Sequence, residues 1–76
     1  YISLKQSIDK LPSQGDSIKN THAGGIVVNV YSAGDLYYYY WSDGTFYMEL
    51  ETSITDEEFV IDFIESLENE ANNAGK

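Results

Sequence analysis

Alternating side chains constrain this chain more than any other feature of its sequence. Residues 26–51 hold three segments in which successive residues alternate in character, as in half-buried β-strands. A two-residue turn at Asp43-Gly44 would pair Ser42 with Thr45 and Trp41 with Phe46. We therefore predict a three-stranded antiparallel meander. The inward set of its first and third strands is even-numbered: Ile26, Val28, Val30, Phe46, Met48 and Leu50.

The middle strand is an aromatic run, DLYYYYWS, at residues 35–42. Residues opposite each other in a sheet share a face, so Tyr37, Tyr39 and Trp41 are expected in the core. The turn before this strand falls at Ala33-Gly34 or at Gly34-Asp35, and both choices give the same facing. The other face then carries a mixed set: Val27, Asn29, Tyr31, Leu36, Tyr38, Tyr40, Tyr47, Glu49 and Glu51.

This tyrosine-rich face is too apolar to stay uncovered. Either the predicted N-terminal helix folds back over it and makes a second small core, or a second copy of the chain covers it, or it binds a partner. An open edge of such a strand would also invite pairing with another chain, so some cover is expected.

Two helices are predicted at the ends of the chain. Leu4, Ile8 and Leu11 have the spacing of one helix face, which predicts a short helix over residues 2–11 that ends before Pro12. Residues 12–25 are small, polar and glycine-rich and are interpreted as a loop.

The C-terminal helix is predicted over residues 55–71. Thr55 as N-cap and Glu58 three residues later form a capping box, and acids in the first turn suit the helix dipole. An apolar stripe would face the sheet, and residues 72–76 are predicted to be a frayed tail. The stripe consists of Val60, Phe63, Ile64, Leu67 and Ala71. The prediction is one α+β domain over residues 1–76 with the order α-β-β-β-α.

The charge is large and unevenly placed. Thirteen acids and four lysines give a formal net charge of −9, and the chain has no arginine. All acids except Asp9 and Asp16 lie between residues 35 and 75, where there is no base. Repulsion among these like charges costs a small domain stability, so we expect the charge to serve high solubility or the binding of a cationic partner. It disfavours direct binding of nucleic acid or anionic membranes.

The sequence offers little for catalysis or for cofactors. The single histidine, His22, has no partner for a nucleophilic triad, and neither SDGTF nor TDEEF has the ligand spacing of a calcium loop. We therefore expect no enzyme activity, no metal and no cofactor. The absence of cysteine and of long apolar runs leads us to expect a soluble, cytoplasmic protein.

In size, charge and order of elements, residues 2–71 resemble the small acidic inhibitors that phages and mobile elements carry against host nucleases. These include anti-CRISPR and DNA-mimic anti-restriction proteins. The resemblance implies a non-enzymatic viral inhibitor that binds the basic nucleic-acid-binding site of a host defence nuclease in the host cytoplasm. Carboxylates would imitate phosphates and tyrosines would anchor the contact. The predicted partner-binding residues are Tyr31, Tyr38, Tyr40, Tyr47, Glu49, Glu51, Asp43, Glu58, Asp62 and Glu65.

Two other functions fit the same residues. An immunity protein that neutralises a cationic toxin would need the same acidic surface. A structural or adaptor domain would instead use the tyrosine face as a homodimer interface, and its acids would only keep it soluble.

Overall fold

A computed structural model describes residues 1–74, with the side chains of residues 1–70. Five antiparallel strands form one sheet and are followed by a single helix. The elements are β1 (Ile2–Ser7), β2 (Asp16–Ala23), β3 (Ile26–Ala33), β4 (Leu36–Ser42), β5 (Tyr47–Thr52) and α1 (Glu57–Ala74). In the described part of the chain, no helix is long and apolar enough to cross a membrane.

The predicted α-β-β-β-α order is wrong at its N-terminal half. Residues 2–7 form β1, which pairs antiparallel with β5 and places Leu4 beside Leu50. The helical spacing of Leu4, Ile8 and Leu11 is therefore misleading. Pairing with β5 extends the sheet by one strand, which a helix of the same residues could not do.

The predicted loop at residues 12–25 is also wrong, because most of it is strand. Residues 16–23 form β2, which pairs with β3 through a two-residue turn at Gly24-Gly25. Most side chains of β2 are exposed, and a bulge at Ile18 shifts its register between Ser17 and Lys19. Both features remove the alternation by which a strand is recognised.

The three strands of the predicted meander are present as β3, β4 and β5. Their side chains lie on the faces of the sheet that the alternation predicts. The buried core holds even-numbered residues of β3 and β5 and odd-numbered residues of β4, packed beneath Val60 and Ile64 of α1. Those sheet residues are Val28, Val30, Tyr39, Trp41, Met48 and Leu50. We call the sheet face that α1 covers the inner face and the opposite one the outer face.

The predicted register of the β4–β5 hairpin is wrong by two residues. Trp41 pairs with Met48 instead of Phe46, and Gly44 and Thr45 form the tip of the turn. The Asp43 carboxylate accepts hydrogen bonds from the N–H groups of Thr45 and Phe46, both at 2.9 Å, and so places Asp43 before the tip. A two-residue shift leaves every side chain on its predicted face.

The turn between β3 and β4 takes one of the two predicted forms. Ala33 pairs with Leu36, so Gly34 and Asp35 form the loop. Gly34 has a φ of 62° at the first loop position, where a type II′ turn requires positive φ.

The start of α1 differs by one residue from the predicted cap. Asp56 rather than Thr55 is the N-cap, because its Oδ1 accepts from the N–H of Phe59 at 3.2 Å. The helix continues to Ala74, three residues beyond its predicted end. The side chain of Ala71 and the remainder of the predicted tail, residues 75–76, lie outside the described part.

Residues 8–15 connect strands at opposite edges of the sheet. The strand order is β1-β5-β4-β3-β2, so this connection has to pass three strands. It runs over the outer face, where the N–H of Gln14 donates to the Tyr40 hydroxyl at 2.9 Å. We call residues 8–15 the crossing segment.

Gly15 marks the place where the crossing segment rejoins the sheet. Its φ is 75°, and a Cβ added there would lie 2.1 Å from the Ser32 carbonyl oxygen. No residue with a Cβ fits without movement of one of the two backbones.

Substitution of Gly15 should therefore destabilise the fold. We expect Gly15→Ala to lower the free energy of unfolding by at least about 2 kcal/mol, because both the space and the φ exclude a side chain. Gly25→Ala is the matched control, since Gly25 has no positive φ and no atom within 4 Å of an added Cβ. Its effect should stay within about 1 kcal/mol. Urea unfolding measures both variants, and equal losses would contradict the close approach at Gly15.

Candidate functional site

The residues predicted to bind a partner lie on two opposite sides of the molecule. Six of them share the outer face: Tyr31, Tyr38, Tyr40, Tyr47, Glu49 and Glu51. Glu58 and Asp62 lie on the solvent side of α1, which packs on the inner face. The structure therefore does not bring the helix acids and the sheet tyrosines into one surface.

The outer face is organised in cross-strand rows. One row runs from Asn20 through Asn29, Tyr40 and Glu49 to Lys5. A neighbouring row is Ser17, Tyr31, Tyr38, Glu51 and Ser3. Each row has tyrosine at its centre and polar or charged residues at its edges, so the apolar part of this face is central.

Tyr40 holds this face together. Its hydroxyl donates to Oε2 of Glu49 at 2.8 Å and accepts from the Gln14 N–H at 2.9 Å. Its ring stacks on Tyr38 with centroids 6.5 Å apart and meets the ring of Tyr31 edge-on at 5.4 Å. Burial, and after it the bond to Glu49, raise the pKa of the Tyr40 phenol above its ordinary 10.0, whereas the Gln14 N–H lowers it.

The chain itself covers much of the tyrosine face, which is one of the alternatives open from the sequence. The cover is the extended crossing segment rather than a helix. Tyr38 is buried, Tyr31 and Tyr40 are half-buried, and Tyr47 remains 38% exposed. The chain therefore covers Tyr38 and part of Tyr31 and Tyr40, and it leaves Tyr47 open to solvent.

The acids of α1 differ in their surroundings. Glu57 forms an ion pair with Lys19 of β2 at 2.7 Å. Glu65 is half-buried near Gly24, at the β2–β3 turn. Glu58, Asp62 and Glu70 are exposed to solvent.

Glu68 was not predicted to face the protein, yet it is buried. Its Oε1 accepts from the Trp41 indole N–H at 2.5 Å, which satisfies the one polar group of that buried ring. The sequence indicates this role only through spacing, since Glu68 follows the core residues Val60 and Ile64 at steps of four.

Asp43 has a local role in the turn that contains it. Hydrogen bonds from the N–H of Phe46 and then of Thr45 lower the pKa of its carboxyl. Both hydrogen bonds that the Asp43 carboxylate accepts lie within the β4–β5 hairpin, so this carboxylate stabilises the turn. It is exposed in the turn between β4 and β5.

The acids and the histidine do not converge on one point of the described structure. Among them no group of three or more His, Cys, Asp or Glu residues could hold a metal ion. His22 is exposed on the outer side of β2, opposite Val27. Sequence reasoning missed a more distinctive feature, an open groove between residues 10–13 and the outer face.

Comparison with known proteins adds no assignment. No protein-family model, no curated protein sequence and no solved structure matches this chain. Its function therefore has to be argued from the surfaces just described.

Removal of the Tyr40 hydroxyl should release the crossing segment. We expect Tyr40→Phe to speed hydrogen exchange of the Gln14 amide at least tenfold, because that N–H loses its acceptor. The free energy of unfolding should fall by about 1 to 2 kcal/mol. Tyr47→Phe is the matched control, because no hydrogen bond of the Tyr47 hydroxyl is found among the described residues. Unchanged exchange at Gln14 in Tyr40→Phe would show that this hydrogen bond does not hold the segment.

Alkaline pH should destabilise the protein through Tyr39, which lies beneath the start of α1. Burial, with smaller contributions from Glu57 and Tyr37, raises the pKa of Tyr39 to about 12. The folded state then keeps a proton that the unfolded state releases above pH 10, so stability is complete below pH 10 and falls as pH rises to about 12. The loss should be on the order of 2 kcal/mol and should shrink in Tyr39→Phe. Urea midpoints measured from pH 8 to pH 12 test this, and identical profiles for the two proteins would contradict it.

Proposed function

We propose that this protein is a non-enzymatic inhibitor that binds the cationic nucleic-acid-binding site of another protein through the acidic solvent side of α1. The target class is a defence nuclease, such as a CRISPR effector or a restriction enzyme. The bound surface consists of Glu58, Phe59, Asp62 and Glu70, which are all exposed. We call it the acidic helix surface.

The observation that carries the proposal is uncompensated charge on a rigid element. No lysine or arginine lies between residues 35 and 75, so no base of α1 neutralises its exposed acids. The nearest ion pair of the helix, Lys19 with Glu57, lies on the flank that faces β2. A cationic partner would therefore meet free carboxylates.

The shape of this surface also suits a groove built for nucleic acid. A helix rises about 1.5 Å per residue, so Glu58 and Glu70 are about 18 Å apart along a straight axis. Phosphates along one DNA strand repeat about every 3.4 Å in the same direction. The helix thus offers fewer charges than a duplex, but in a similarly linear and preorganised array that would speed association with a basic groove.

Phe59 supplies an anchor that charge alone would lack. Its side chain is 52% exposed, although it is a large apolar residue. Phe59 and Asp62 are three residues apart and are therefore neighbours on the helix surface. An aromatic side chain between carboxylates provides apolar area to bury, while the carboxylates provide steering and specificity.

The tyrosine face supports the proposal less well. Tyr38 is buried, and the hydroxyl of Tyr40 is already bonded to Glu49 and Gln14. Little of Tyr38 and none of the bonding capacity of the Tyr40 hydroxyl that Glu49 and Gln14 occupy is left for the flat surface of a partner protein. The residues of the acidic helix surface are all exposed, which is why we assign binding to it.

Charge reversal on the helix should abolish inhibition. The test is displacement of labelled duplex DNA or guide RNA from a panel of RNA-guided nucleases and restriction enzymes, followed by fluorescence anisotropy. For a nuclease that the protein inhibits, Glu58→Lys with Asp62→Lys should weaken inhibition at least tenfold. Asp9→Lys with Asp16→Lys changes the net charge equally at exposed residues off the helix and should have little effect.

Two further results complete this test. Raising salt from about 0.1 M to about 0.5 M should weaken inhibition by the native protein, because screening shortens the range of the carboxylates. Phe59→Ala should also weaken it while leaving the salt dependence unchanged. The proposal fails if the two double variants behave alike, or if no nuclease of the panel is inhibited.

A further inference from the structure

The groove on the outer face lies apart from the acidic helix surface, because α1 covers the opposite side of the sheet. It has a volume of about 520 Å³, opens to solvent, and is bounded on one side by residues 10–13 of the crossing segment. This volume is within the range of small-molecule sites, about 300 to 1,000 Å³. The side chains that matter for its chemistry are Lys10, Val27, Asn29, Tyr31, Tyr40 and Tyr47.

Two walls of the groove form a preorganised aromatic corner. The rings of Tyr31 and Tyr40 are at 86° to each other with centroids 5.4 Å apart. Tyr40 cannot turn away freely, because Glu49 and Gln14 hold its hydroxyl. A planar ring placed in this corner would stack on one tyrosine and meet the other edge-on, which are the two favoured aromatic arrangements.

The groove also exposes apolar surface that water solvates poorly. Val27 is 51% exposed and Tyr47 is 38% exposed. Asn29 lies beside Tyr40 in the neighbouring strand and is exposed, so its amide is available to a ligand. A few polar groups among aromatic and apolar walls is the usual composition of a small-molecule site.

The charge of the groove is opposite to that of the protein. Among residues 1–70, whose side chains are described, Lys10 is the only charged side chain that lines it, although the chain has a net charge of −9. No acid of the described residues lines the groove, and Glu49, which accepts from the Tyr40 hydroxyl, is not part of its lining. A lysine in this position favours a ligand with one anionic group and would not stabilise a cation.

We propose that this groove binds a small planar aromatic anion. Its ring lies in the corner of Tyr31 and Tyr40 and against Tyr47, and its anionic group contacts the Lys10 ammonium. Aromatic carboxylates and nucleoside monophosphates both combine a planar ring with an anion, and the experiment separates these two sources. The site is independent of the function proposed for α1.

The experiment is a titration of ¹⁵N-labelled protein followed by NMR, with four probes. They are 2-naphthoate and its neutral analogue 2-naphthamide, and adenosine monophosphate and its neutral analogue adenosine. We expect saturable shifts of the amides of Leu11, Val27, Asn29 and Tyr47 with at least one anionic probe. That probe should bind at least about tenfold more tightly than its neutral analogue, because only the anion gains the Lys10 contact. Tighter binding of naphthoate assigns the site to aromatic carboxylates, and tighter binding of adenosine monophosphate assigns it to nucleotides.

Two lysine variants test the assignment of the anion contact. Lys10→Gln should remove the preference for the anion over its neutral analogue, while the spectrum shows an intact fold. Lys5→Gln is the matched control, because Lys5 is an exposed lysine of the same outer face that does not line the groove. The proposal is overturned if neither anion produces saturable shifts at these amides, or if Lys10→Gln and Lys5→Gln reduce the preference equally.

Discussion

The position of β1 and β2 at opposite edges of the sheet is the constraint on which the rest of the structure depends. Four inter-strand spacings separate these edges, which is about 19 Å. Ser7 and Asp16 also lie toward opposite ends of the sheet, beside Tyr47 and Ser32, so the diagonal path is about 25 Å. The eight residues between them reach about 30 Å when fully extended. The crossing segment therefore has little slack and no room for a helix. Because α1 occupies the inner face, the outer face is the path left to it.

Alternation predicted the centre of the sheet well and its edges poorly. In β3, β4 and β5 one face is buried, so the pattern of Val28, Tyr39 and Leu50 reports directly on the core. The error at Asp43-Gly44 shifted the predicted pairing by two residues. Side chains of a strand alternate with a period of two, so each one still lies on its predicted face. An edge strand such as β2 buries few side chains and carries a bulge, so it lacks that pattern. Its one local signal was the Gly24-Gly25 pair, which is typical of a two-residue hairpin turn. The six residues of β1 are too few to separate a strand from a helix by spacing alone.

The candidate site shows a different limit of sequence reasoning. Composition predicted correctly that the exposed charge would be acidic, but it could not show that Glu49 and Asp62 lie on opposite sides of the molecule. Nor could it separate the roles of neighbouring acids. Glu68 is buried against Trp41 and Glu57 pairs with Lys19, whereas Glu58 remains exposed. Such differences depend on how α1 lies on the sheet, a long-range property that no local pattern contains.

The pairing of β1 with β5 also sets the order in which the fold can form. Leu4 lies beside Leu50, so the first strand of the chain depends on the last one. The hairpins of β2 through β5 pair strands that follow each other in the sequence, so each closes a short loop. The pairing of β1 with β5 has to close a much longer loop of chain. During synthesis β1 has no partner until β5 has left the ribosome. The crossing segment is tied at its N-terminal end only where β1 pairs with β5, so we expect full cover of the tyrosine face to depend on this long-range contact.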